Sequence, residues 1–125
     1  VRTLHSVRAK VSGLSGGQRQ AIAIARAVGT ESSVVMLDEP TAALGVAQTY
    51  QVLQVVKRLR DTNHAVVYIS HNMQDIFDVS DRITVLRHGQ NVATYITSKT
   101  TPDEVVMAMT KGIDKNSSES IQNAI

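Results

Sequence analysis

Two short apolar runs, Val34-Val35-Met36-Leu37 and Ala65-Val66-Val67-Tyr68-Ile69, constrain the fold of this chain more than any other feature. Each is rich in β-branched side chains and unbroken by charge, the pattern of a strand buried in a parallel sheet. Between them, Val46, Tyr50, Leu53, Val56 and Leu59 recur at helical spacing over residues 46–60. Pro40 stops the first run, and Asp61-Thr62-Asn63-His64 is a turn before the second. Strand, helix, strand in that order predicts parallel pairing within an α/β fold, with both faces of the strands covered.

A helix is also expected ahead of the first strand, over residues 16–28. Ser15 is placed to cap it, and Gln18 stands at the third helical position, so Ser-x-x-Gln reads as a capping box. Gly16 and Gly17 fill the first turn, where no side chain shields the backbone N–H donors. A helix start of that kind attracts anions, phosphate foremost. The plain alternative is a tight turn that merely begins a helix. Ala21, Ile22, Ala25 and Val28 are the expected apolar stripe, Arg19 and Arg26 lie on another face, and Gly29 is a stop signal.

Downstream, Asn72 can cap a short helix carrying Met73, Ile76 and Phe77. Residues 82–86 and 91–95 flank His88-Gly89 and predict an antiparallel hairpin. Thr101-Pro102-Asp103-Glu104 combines a cap, a proline at the first helical position and a glutamate at the third. Val105, Val106 and Met109 give that helix its apolar side, and Gly112 ends it. Residues 113–125, with three serines and two asparagines, read as a disordered tail. Residues 1–13 carry Arg2, Arg8 and Lys10 without periodicity and read as the end of an upstream unit. The start at Val1, without methionine or a signal-peptide pattern, suggests a fragment.

Composition excludes several classes. A length of 125 residues, 42% hydrophobic and 19% charged, suits one soluble domain, with no stretch long enough to span a bilayer. With no cysteine there is no disulfide framework and no thiolate metal site. A net charge of +2 and only four aromatics (Tyr50, Tyr68, Phe77, Tyr95) argue against nucleic acid as a partner. A cytoplasmic setting is the default.

Three residues at the ends of the predicted strands carry the remaining chemistry. A carboxylate at the C-terminal end of a parallel strand points into the crevice where such sheets bind ligands. Asp38 is therefore a candidate Mg²⁺ ligand, directly or through water. The next side chain along an extended segment points elsewhere, so Glu39 can instead orient a water toward a phosphoryl group. His71 follows the second strand, emerges on the same edge as Asp38 and can donate to phosphate or position water. Taken singly, each has a plainer reading: carboxylates that end a strand in solvent, and a loop or capping histidine.

Order and spacing link these signals. Leu14-Ser15-Gly16-Gly17-Gln18-Arg19-Gln20, continued by Ile24-Ala25-Arg26-Ala27, resembles the signature motif of ATP-binding cassette (ABC) ATPases. Residues 34–38 are similar to a Walker B strand, with Glu39 where the family has its catalytic glutamate. Pro40-Thr41-Ala42-Ala43-Leu44 resembles the D-loop segment, Ile69-Ser70-His71 the switch-histidine motif, and Asp81 to Leu86 with Gly89 the strand pair that follows it. The resemblance covers roughly Val11 to Gly112. It implies the C-terminal half of a P-loop (RecA-like) ABC ATPase domain over residues 1–112, with the end of the helical subdomain carrying the signature.

The resemblance also implies a division of labour. Two cassettes pack head to tail, with ATP between the Walker A loop of one and the signature of the other. Leu14, Ser15, Gly16, Gly17 and Gln18 would then face the γ-phosphate of ATP held by the partner cassette. Asp38 (Mg²⁺), Glu39 and His71 would serve the nucleotide of their own subunit. The implied cofactors are ATP and Mg²⁺. The implied partners are a second cassette, membrane permease subunits and, indirectly, an extracytoplasmic substrate-binding protein, at the cytoplasmic face of the membrane. Two departures stand out. No Gly-x-x-x-x-Gly-Lys-Ser/Thr occurs, and the Q-loop position would lie upstream of Val1, so ATP binding by this chain alone is expected to be weak or absent. The D-loop commonly ends in aspartate, whereas Ala42-Ala43-Leu44 is followed by Gly45. That form, with Ile69-Ser70-His71-Asn72, Val85-Leu86-Arg87 and Thr101-Pro102-Asp103-Glu104-Val105-Val106, resembles importers of simple sugars. A truncated, non-catalytic cassette that completes a partner's site and a soluble ABC ATPase without a transport role are the other readings.

Overall fold

A computed structural model of the chain describes residues 15–28 and 33–111. They fall into two compact units that divide between His71 and Asn72. The first contains α1 (Gly16–Val28), β1 (Val34–Asp38), α2 (Val46–Asp61) and β2 (Ala65–Ile69). The second contains α3 (Met73–Val79), β3 (Arg82–Arg87), β4 (Gln90–Ile96), a 3₁₀ turn (Thr97–Lys99) and α4 (Pro102–Lys111). The expected tail at 113–125, Gly29 and the upstream residues 1–14 lie outside the described residues.

In the first unit β1 and β2 pair in parallel, from Val34 opposite Ala65 to Asp38 opposite Ile69. Helix α2 makes the crossover and packs on β2, and α1 packs on α2. Val35, Leu37, Val52, Leu53, Val56, Leu59, Ala21 and Ile24 form the core. The expectation that both strand faces are covered is not met. Val34, Met36, Val67 and Ile69 are all exposed, Met36 by 70%. Alternate residues of a strand point to opposite faces, and the helices of this unit cover the face that carries Val35 and Leu37. Full burial of Ile24 and Val52 stabilises the unit by about 1.5–3 kcal/mol each, and Met36 and Ile69 in water forgo gains of that order.

The buried helix faces also differ from expectation. In α1 they are Gly17, Ala21 and Ile24, while Ala25 is exposed. In α2, Val46 is 91% and Tyr50 63% exposed. The reason is the contact between Gly17 and Gln48 in the helices' first turns. At 3.6 residues per turn, Val46 and Tyr50 each lie about 160° around the axis from Gln48, so the turn that faces α1 necessarily turns both to solvent.

The second unit is built on the hairpin, with Arg82 opposite Ile96, Arg87 opposite Gln90 and an irregularity between Val85 and Leu86. His88 (φ 51°) and Gly89 (φ 74°) are both left-handed, as a two-residue hairpin turn that follows the strand twist requires. Asn72 caps α3, its Oδ1 accepting from Asp75 N–H at 3.2 Å. At α4, Thr101 Oγ1 accepts from Glu104 N–H at 3.3 Å. The Glu104 carboxylate does not reach back to the cap; it accepts from the Thr100 hydroxyl at 2.7 Å. Burial, and then the Glu104 charge, raise the Tyr95 hydroxyl above its ordinary value of 10.0. No helix among the described residues is long and apolar enough to cross a membrane.

Candidate functional site

The start of α1 closes on itself. Ser15 N–H donates to Gln18 Oε1 at 3.0 Å, and Gln18 N–H donates to Ser15 Oγ at 3.2 Å. Arg19 N–H donates to the Ser15 carbonyl at 2.9 Å and begins the helix. Both arms of the expected capping box are thus made. Two of the first-turn donors are consumed by it, which leaves the N–H groups of Gly16 and Gly17 for an anion. Gly16 is exposed and Gly17 buried. The Ser15 hydroxyl accepts in the box, so its own proton remains free to donate outward. Leu14 lies outside the described residues.

The parallel register of β1 and β2 sets the second group of residues. Glu39, one residue past β1, donates its N–H to the Ile69 carbonyl at 2.7 Å. That bond carries the pairing beyond the strand end and brings Glu39 level with the exit of β2. His71 Nδ1 then meets Glu39 Oε1 at 2.7 Å, across 32 positions of chain. Where the carboxylate is ionised it only accepts, so the ring donates from Nδ1 in this contact and Nε2 remains as the second ring nitrogen. The His71 side chain is 82% exposed and that of Glu39 36%. At that exposure such a contact contributes about 0–1 kcal/mol, so it orients two groups and adds little to stability.

Glu39 has a φ of 47°. A non-glycine residue there costs on the order of 1–3 kcal/mol, more than the His71 contact returns. Glu39 is held instead by its backbone, through Ile69 and through Ala42 N–H, which donates to the Glu39 carbonyl at 3.2 Å. The left-handed turn swings the Glu39 side chain out of the strand's alternation and toward His71. Asp38 is exposed at the end of β1, opposite Ile69. No cluster of three metal-ligating side chains occurs among the described residues. A single carboxylate completed by phosphate oxygens and water is an ordinary magnesium arrangement. The exposed Asp38 carboxylate would fit that role.

Sequence reasoning missed Leu44 and Gln48, which pack on the two glycines of α1. Some 30 residues separate the partners; Leu44 was legible only as the end of the D-loop segment, and Gln48 belongs to no motif.

Comparison with solved structures sets the class: this is the fold of an ATP-binding cassette. The chain aligns with a metal-chelate type ABC transporter in an inward-facing conformation at TM-score 0.69 and 31% identity, over 79% of this chain and 40% of that one. It aligns with the dimeric post-hydrolysis state of an ATP-binding cassette bound to ADP and Pi at TM-score 0.58 and 29% identity, over 69% and 37%. The family model described as ABC transporter matches residues 2–42. The chain belongs to the ABC transporter family of ATP-binding cassettes. It is similar to the fructose import ATP-binding protein of Rhizobium meliloti, 42% identical over 86% of this chain and 42% of that protein. It is also similar to the ribose import ATP-binding protein of Geobacillus kaustophilus, 45% identical over 77% of this chain and 19% of that one. The chain thus spans less than half the length of these relatives.

Proposed function

We propose that this chain is the signature and Walker B part of the ATP-hydrolysing subunit of a carbohydrate importer. The observation that carries the reading is the 2.7 Å contact between Glu39 and His71 at the ends of two parallel strands. It fixes a carboxylate and an imidazole side by side where such a sheet handles phosphate. In this reading Glu39 orients the attacking water, His71 holds the Glu39 carboxylate, and Nε2 faces the nucleotide. Asp38 ligates Mg²⁺, which when bound neutralises charge on the phosphate oxygens. Ser15, Gly16 and Gly17 donate to the γ-phosphate held by a second cassette packed head to tail, and Gln18 holds the turn that carries those donors. Residues 1–112 would form one partial cassette domain with 113–125 as a tail, docked on permease subunits at the cytoplasmic face of the membrane and served by an extracytoplasmic binding protein. The similarity to fructose and ribose import ATP-binding proteins supports the carbohydrate class.

In a second reading the chain acts only by completing the ATP site of a partner, as the exposed donor end of α1 allows. Both readings predict no turnover by the chain alone. They separate in a chimera in which this chain replaces the matching segment of the fructose import ATP-binding protein. The first predicts ATP hydrolysis that rises when permease and binding protein are present with substrate. A folded chimera that binds ATP without hydrolysing it contradicts the first reading and leaves the second.

A further inference from the structure

We propose that Gln48, in the first turn of α2, positions the phosphate-facing end of α1, and that residue 17 is glycine for this contact; the inference rests on the reading of that end as a γ-phosphate donor. A Cβ at Gly17 would lie 2.8 Å from Gln48 Cβ, 2.9 Å from its Cα and 3.0 Å from its carbonyl oxygen. None of these atoms can swing aside, since two belong to the backbone and the third is fixed to it. Among the described residues, a Cβ at Gly16 would meet only Leu44 Cδ2, at 2.9 Å, the far end of a flexible side chain. The two glycines therefore do different things. Gly16 is the exposed donor, and Gly17 is the seat on which the donor end rests.

Neither glycine has a left-handed φ, so alanine is allowed at both and favours helix. A loss on substitution then reports the contact and not the backbone. The Gln48 side chain also turns back on the N-cap of its own helix, where the connection from Glu39 ends: a Cβ at Gly45 would lie 2.5 Å from Gln48 Oε1. Within that connection Ala42 N–H donates to Glu39 O, and Leu44 N–H to Thr41 O, each at 3.2 Å. Gln48 thus lies between the donor end of α1 and the start of α2, the helix that follows the segment leaving Glu39.

The test uses the chimera described above, with Gly17→Ala, Gly16→Ala, Gly16→Ala/Leu44→Ala and Gly17→Ala/Gln48→Ala. Displacing a reacting group by about 1 Å costs about 10²-fold in rate, so Gly17→Ala should lower kcat by about that factor per folded cassette, with the ATP KM within about two-fold. Gly16→Ala, whose added Cβ meets a flexible side chain, should lose less melting temperature than Gly17→Ala, and Leu44→Ala should recover that loss. Gln48→Ala should not restore Gly17→Ala, because the Cβ, Cα and carbonyl all remain. Equal melting losses at the two glycines, rescue of Gly17→Ala by Gln48→Ala, or a rise in KM without a fall in kcat would overturn the assignment. If the parent chimera is inactive, the proposed function fails and thermal melting reads the contact. A larger drop for Gly17→Ala than for Gly16→Ala, with the latter restored by Leu44→Ala, supports the seat; equal melting overturns it.

Discussion

Ser15 and Gln18 close the start of α1 within four residues, whereas Glu39 meets His71 across 32 positions of chain. The helix start relies on reciprocal backbone bonds and has no left-handed residue. The strand ends rely on the register of two parallel strands and on one left-handed glutamate. Donor groups can be presented by local geometry alone, because helix ends expose N–H groups by construction. A carboxylate and an imidazole that must share a proton cannot be placed so, since no short stretch of chain holds both at hydrogen-bond distance in a strand. The acceptor side of the site is therefore the side that depends on tertiary structure.

The largest effect is expected at the strand ends. In the chimera Glu39→Gln should lower turnover by about 10²–10⁴-fold, the range for losing a positioned general base, while ATP is retained on filtration. Glutamine can still accept from His71 Nδ1, so the contact survives and only the charge is lost. Unchanged turnover would remove Glu39 from the chemistry. His71→Ala comes next, with a loss of about ten-fold or somewhat more: Glu39 keeps its backbone anchors and loses only its side-chain partner. A loss equal to that of Glu39→Gln would show that orientation counts for as much as charge.

Smaller again is Ser15→Ala, which removes a cap worth about 1 kcal/mol and should lower the melting temperature modestly. A collapse of the first unit would show that the helix start is not locally closed. The smallest effect lies outside both regions. Tyr95 titrates above its ordinary value in the folded chain. Below pH about 10 it is neutral in both folded and unfolded chains; above that the unfolded chain ionises first, so stability falls as pH rises. Melting as a function of pH should show this decline in the parent and a shallower one in Tyr95→Phe.

These differences also explain what the sequence made legible. The capping box was readable because both its bonds lie within four residues. The strand–helix–strand unit was readable because two β-branched runs flank one helical period. Alignment of His71 with the end of β1 followed from that topology; its contact with Glu39 there depends on the left-handed turn at Glu39, which no local signal marks. The buried face of α1 was misplaced by the choice of Ala25 over Ile24, and that of α2 by Val46 and Tyr50. Both errors have one cause, the seating of Gly17 on Gln48, which sequence spacing does not encode.

The central claim is that the donor end serves a nucleotide held by another subunit, while Glu39 and His71 serve their own. Mixed dimers of the chimera test it directly, with Ser15→Ala/Gly17→Ala in one copy and Glu39→Gln in the other. Division across the dimer gathers both defects into one site and leaves the other intact. Two inactive proteins should then regain turnover on mixing, to about a quarter of the parent for random pairing of two independent sites in a symmetric dimer. No recovery, with mixed dimers demonstrated, would place the donor end and Glu39 on the same nucleotide and contradict the account.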